Sequence, residues 1–203
     1  MGAESKITAS CVISNNKVYK NGELVFSHDA PNVGEFLNAV YDFIQPDYPR
    51  FYKMDLVSKL GWLATEMLLR DSFDRNTYAA DEIGLVFSNA NASLDTDKKY
   101  YQTVATYPSP SLFVYTLPNI VMGEICIRYG IKGENAFFVF DKFNPGFLEQ
   151  YVGSLMSSDI IRSCICGWVD VFGEGYKAAL FLVEKRSGGD DFTAEKMQTV
   201  FAL

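Results

Sequence analysis

Strand-like apolar runs alternate with helix-like apolar stripes along this chain, and most successive runs are separated by connections long enough to hold a helix. That alternation is the pattern of an α/β fold, because a crossover between parallel strands needs about a dozen residues or more and returns through a covering helix. The strand-like runs are "EIGLVFSNA" (residues 82–90), "NAFFVF" (135–140), "IIRSCICGWVDVF" (160–172) and "YKAALFLVEK" (176–185). Ahead of them, residues 6–26 read as short strands joined by tight turns at Asn15-Asn16 and Asn21-Gly22. Helical spacing places Val33, Phe36, Leu37, Val40 and Phe43/Ile44 on one stripe, which Pro46 and Pro49 end. A second stripe, Leu56, Leu60, Leu63 and Met67, predicts a helix with Asp55 as its N-cap. Shorter helices are predicted over 95–105, over 119–131 with Gly130 near the end, over 145–158 and from 191 onward. Residues 106–119, "TYPSPSLFVYTLPN", read as a Pro-punctuated aromatic loop. The expected architecture is helix, sheet, helix.

One stretch is placed for chemistry. In "GENAFFVFDKFNPGF" (133–147) an apolar strand runs into a sharp turn at the mouth of a helix, with Asn144 suited to its cap and Pro145 to its first position. The turn carries Asp141, Lys142, Phe143 and Asn144.

The chain has 203 residues, 48% hydrophobic and 15% aromatic, which is enough for one domain, residues 1–203, with a bulky core. A net charge of −7 argues against nucleic acid and anionic membrane as partners, since phosphate binding rests on Lys and Arg. No apolar run approaches the roughly 20 residues that span a bilayer. The start lacks the apolar core of a signal peptide, and Lys6 stands where a myristoylation motif wants Ser or Thr. A cytoplasmic location is expected. Cys11, Cys126, Cys164 and Cys166 read as buried free thiols, too few for a disulfide framework. Cys164 and Cys166 sit in a core strand with no second Cys/His pair to complete a metal site, and neither metal nor cofactor is expected.

Four segments taken together resemble the N-terminal half of a beta-ketoacyl synthase, of the thiolase-like superfamily: "FYKMDLVSKLGWLATEMLL" (51–69), "DEIGLVFSNANASLDTDKKYYQTV" (81–104), "PSPSLFVYTLPNIVMGEICIRYGIKGEN" (108–135) and "GWVDVFGEGYKAALFLVE" (167–184). The third is the most specific, leading from Pro-Ser-Pro through "TLPN" and "RYGIKG" to Asn135. The likeness covers about residues 51–184, and the first fifty match weakly. It implies a thiolase-like half-domain: a mostly parallel five-stranded sheet with helices on both faces. In that family a cysteine thiolate at the helix mouth attacks an acyl thioester, helped by the helix dipole and backbone donors. Counting from Gly133 without gaps, the matching position is Lys142, and the same count brings Gly167 onto the family's glycine-rich strand. A one-residue slip gives Phe143, which is no nucleophile for this reaction. His28, the single histidine, lies in a predicted surface loop and does not replace the two histidines of the family's second half.

Lys142 has two open readings: a turn lysine facing solvent or paired with Asp141, or part of an anion or acyl pocket with Asn144 and Asn119. Asp95 and Asp97 read as helix-capping residues rather than paired catalytic carboxylates, and the sequon at Asn91 is without consequence in the cytoplasm. The resemblance thus implies a non-catalytic protein acting by association, as a homodimer or with a ketosynthase-like partner, in fatty-acid or polyketide-type biosynthesis. Two alternatives stay open. One is a condensing or acyl-transfer enzyme half completed by a separate chain. The other is an acyl or acyl-carrier-protein binding module, whose acidic partner needs a local basic patch such as Lys53, Lys59, Lys98 and Lys99.

Overall fold

In the computed structural model, which describes residues 4–203, the apolar runs become the middle of a single eight-stranded sheet. Its strands are β1 (Ser5–Ser14), β2 (Lys17–Lys20), β3 (Glu23–Ser27), β4 (Ile83–Asn89), β5 (Asn135–Val139), β6 (Ser163–Phe172), β7 (Gly175–Lys185) and β8 (Asp190–Asp191). They lie in the order β3-β2-β1-β7-β6-β4-β5, with β8 also paired to β1. Every residue of β4 is buried, which is why its sequence is apolar without alternation.

The α/β class and the covering of both faces hold; the strand count and directions differ from expectation. Eight strands are present rather than five, and only β4, β5 and β6 run parallel. The reason is local. Asn15 and Asn16 (φ 49° and 58°) and Asn21 and Gly22 (φ 52° and 84°) form left-handed two-residue turns that return the chain directly, so β1, β2 and β3 are antiparallel neighbours. The β6–β7 connection is equally short and also antiparallel.

Among the described residues there are seven α-helices, most of them packed on the sheet: α1 (Val33–Ile44), α2 (Leu56–Leu69), α3 (Leu94–Val104), α4 (Pro110–Phe113), α5 (Ile120–Tyr129), α6 (Pro145–Ser157) and α7 (Ala194–Phe201). On one face Phe36 and Val40 of α1, Leu60 and Leu63 of α2 and Ile125 of α5 pack on Ile13, Leu85, Ile165 and Leu180. On the other, Leu148 and Val152 of α6 and Met197 of α7 pack on Val86, Cys166, Phe181 and Val183. The predicted caps form: Asp55 accepts from Ser58 N at 2.9 Å, Asn144 accepts from Phe147 N at 3.1 Å, and Gly130 closes α5 at φ 63°. Of the predicted α1 stripe Ile44 is buried, whereas Phe43 is half exposed and stacks on Phe26 at 4.7 Å. The segment read as a loop over 106–119 contains one helical turn, α4, whose cap Ser109 accepts from Leu112 N.

Two irregularities adjust the sheet. A bulge at Thr8 switches β1 from one core to the other, so Ile7 faces α7 while Ala9 and Cys11 face α1 and α2. At Gly167 the backbone has φ 147°, and a Cβ would lie 2.0 Å from the Ala179 carbonyl oxygen, so that position of β6 admits only glycine.

Candidate functional site

The parallel strands β4, β5 and β6 end on one side of the sheet, where open α/β folds place their ligands. Phe140 N donates to Asn89 O at 2.9 Å, tying the end of β5 to the end of β4 before the chain turns into α6. Residues Phe140, Asp141, Lys142, Phe143, Asn144 and Pro145 line a recess of about 440 Å³ there. Lys142 and Asp141 are both exposed, and among the described residues neither joins an ion pair, so Lys142 faces solvent and is not paired with Asp141. Asn144 is committed to capping α6, and its carbonyl oxygen is already in use. Asn119 flanks α5 without a side-chain cap bond, is exposed, and does not line this recess.

Phe143 turns inward. Its ring stacks on Phe201 of α7 at 4.3 Å and meets Trp168 edge-on at 6.2 Å, so the floor under the turn is an aromatic stack. Lys177 Nζ sits 4.6 Å from the Phe201 ring centre, on the same wall, and burial lowers its pKa.

The loop after β4 is fixed by residues that sequence reasoning did not single out. Asp170 of β6 accepts from Ala90 N at 3.2 Å, Asn91 N at 3.0 Å and Asn91 Nδ2 at 2.8 Å. Asn89 and Ala92 exchange two further bonds of 2.9 Å, holding Ala92 at φ 48°. The available signal was one carboxylate, Asp170, inside an otherwise apolar strand.

The cysteines lie elsewhere. Cys11, Cys164 and Cys166 are buried in strands, and Cys126 is half-buried on α5. Burial pushes the Cys11 thiol up to about 12, and burial together with the neighbouring Cys166 raises Cys164. Neither is a thiolate near neutral pH. His28 is exposed and stacks on Phe26. Asp95 pairs with Lys99 at 2.7 Å and accepts from Gly173 N at 3.2 Å, while Asp97 accepts from Ser93 Oγ at 3.1 Å, so both brace the first turn of α3. Of the candidate basic residues, Lys98 lies over the Phe172 ring, Lys59 over Phe51, and Lys53 lines a recess with Arg50. Among the described residues no group of three or more His, Cys, Asp or Glu is placed to hold a metal ion, and no helix is long and apolar enough to cross a membrane.

No family model matches the chain, and no curated protein matches it. Solved structures do. The ishigamide ketosynthase/chain length factor superposes with a TM-score of 0.64 at 19% identity, over 93% of this chain and 64% of that one. A type II polyketide acyl-carrier protein in complex with its ketosynthase gives 0.60 at 17% identity, over 92% and 64%. A ketosynthase in complex with its chain length factor from Xenorhabdus doucetiae gives 0.60 at 14% identity, over 98% and 90%. The chain therefore spans less than two thirds of the length of the first two and most of the third. At these identities the likeness establishes the fold, which is the thiolase-like fold of ketosynthases. Covering 92% or more of this chain, it extends into the first fifty residues, where the sequence match is weak.

Proposed function

We propose that this chain is a non-catalytic ketosynthase-like protein that works by association, with a second copy or with a ketosynthase-like chain, in polyketide- or fatty-acid-type biosynthesis. The observation that carries the reading is an open sheet edge, together with exposed apolar side chains along residues 101–117. β5 is the last strand, paired only to β4, and Asn135–Val139 contains no charge, proline or other device that blunts an edge. Along residues 101–117, Tyr101, Tyr107, Phe113 and Leu117 are each more than half exposed, apolar surface that a partner chain would cover. The non-catalytic part rests on the pivot between β5 and α6, where Asp141, Lys142, Phe143 and Asn144 offer no sulfur. Solved relatives of the same fold are complexes of a ketosynthase with a chain length factor or a carrier protein, which makes a chain of that kind the natural partner to test.

Solution mass across a concentration series is the direct test. A dimer, or a one-to-one complex with a ketosynthase, is expected; a monomer at every concentration that also ignores ketosynthase chains would overturn the reading. A second reading, acyl or carrier-protein binding, is favoured by the 440 Å³ recess with its exposed ammonium. Intact mass after incubation with an acyl or malonyl thioester addresses chemistry. No adduct is expected, and a covalent acyl group on any residue would establish an enzyme half instead. If Lys142→Glu leaves thioester or carrier-protein binding unchanged, the recess has no part in it.

A further inference from the structure

One side of β1 is paired with β7 from Ser5 to Ser14, and the other side is interrupted. There β8 pairs with Lys6 and Ile7, and β2 with Cys11 to Ser14, so Thr8, Ala9 and Ser10 have no strand beside them. At about 3.3 Å per residue that gap is about 10 Å long. A cleft of about 420 Å³ opens on it, between the edge of β1, the Asn21-Gly22 turn and Lys196, Thr199 and Val200 of α7.

Most polar groups around the cleft are engaged. Asn21 Oδ1 accepts from Ser10 N at 2.8 Å and Asn21 N donates to Ser10 O at 2.9 Å, so the backbone of Ser10 is met as a neighbouring strand would meet it. The Thr8 hydroxyl donates to the Glu184 carboxylate, and the Thr199 hydroxyl to Glu195 O at 3.0 Å. Lys196 Nζ pairs with Asp190 at 2.8 Å. Two donors remain. Ser10 is only 7% exposed and lines the cleft, and among the described residues its hydroxyl makes no hydrogen bond. Asn21 Nδ2, on the other arm of the amide that holds Ser10 N, makes none either. A hydroxyl this buried is rarely left unmet, and this one opens on a cavity.

We infer that the gap between β2 and β8 is a binding site for a small neutral carbonyl compound, an amide with a short alkyl group, whose oxygen accepts from Ser10 Oγ and Asn21 Nδ2. A carbonyl oxygen has two lone pairs for those two donors. Lys196, the cation lining the cleft, already has its carboxylate, so little draws an anion in. Ile7 and Val200 give the alkyl group an apolar wall. With β8 closing one end and β2 the other, the gap is too short for a strand of a partner chain, whose commonest length is about 17 Å. The site does not depend on association, and its test is separate from that of the reading above.

Titration of the isotope-labelled full chain with N-methylbutanamide, followed by amide NMR shifts, tests it. Saturable shifts are expected at residues 7–10, 21–22 and 196–200, and none at 140–145. Ser10→Ala removes one donor. Asn21→Asp keeps the oxygen that holds Ser10 N, suits the left-handed turn and loses the other donor. Each is expected to bind the amide at least fivefold more weakly, the effect of one neutral hydrogen bond, with wild-type hydrogen-exchange protection in β1 and β7. Butanoate, which carries the same alkyl group on a charged head, is expected to bind at least fivefold more weakly to wild type. Absence of a saturable shift with the amide would overturn the site, and so would undiminished binding by Ser10→Ala. Should Ser10→Ala lose its exchange protection, undiminished binding by Asn21→Asp overturns it instead. Equal binding of butanoate would overturn the assignment to a neutral ligand.

Discussion

Asp55 shows how one side chain in this fold serves two elements. Its Oδ1 caps α2, and its Oδ2 accepts from Thr96 Oγ1 of α3 at 2.7 Å, so the price of its burial is shared between two hydrogen bonds. Burial dominates all the same and raises the carboxyl above its usual 3.8, with the bonds to Ser58 and Thr96 opposing. Because the folded state then holds the proton more tightly than the unfolded chain, the contribution of Asp55 to stability is greatest below 3.8 and is lost as pH rises through the raised folded value. Asp55→Asn does not titrate and keeps the cap oxygen. Its urea midpoint is therefore expected to gain on that of wild type as pH rises from 3.8 through the raised folded value; a difference that stays constant over that rise would refute the assignment. The cap was legible in the sequence as an Asp ahead of an apolar stripe, whereas the bond to Thr96, 41 residues away, was not.

At the scale of the element, α6 and the turn before it were the most legible part of the candidate site. Asn144 and Pro145 stand where the sequence puts them, and the helix predicted over 145–158 forms as Pro145–Ser157, burying Leu148, Val152 and Met156. Asn144→Ala is expected to lower stability by about 1 kcal/mol in a denaturant titration, the usual cost of losing an N-cap bond, while β4 and β6 keep their hydrogen-exchange protection. What the spacing did not reveal is that Phe143 faces a wall made by Trp168 of β6 and Phe201 of α7. A turn sequence defines backbone direction and cap; the far side of the packing comes from residues that share no local pattern with it. The Asn-Asn and Asn-Gly turns follow the same logic in reverse, being strong enough locally to fix antiparallel pairing of β1, β2 and β3 whatever the rest of the sheet does.

For the whole molecule the decisive feature is the pair of cores on opposite faces of one sheet, which leaves two lateral edges, β3 and β5. The β3 edge is interrupted by a register shift against β2, a common guard against edge pairing, and β5 has no such shift. Val139, at the end of β5, is 54% exposed. Val139→Lys is expected to reduce association at least tenfold in sedimentation while changing stability by no more than about 0.5 kcal/mol, as surface substitutions usually do. Equal association in the variant would move the interface away from β5.

The sequence by itself determined the layered α/β class, the helix caps, the tight turns and the residue types at the pivot, because each depends on neighbours within a few positions, through apolar period, turn chemistry or a cap bond. The tertiary structure alone decided how β1, β7, β6, β4 and β5 are ordered across the sheet, that Asp170 fixes the loop after β4, and that Glu124 is met by Arg50 and Tyr115. Those contacts join residues whose partners are chosen by the packing of whole elements, and no local pattern along the chain records that choice.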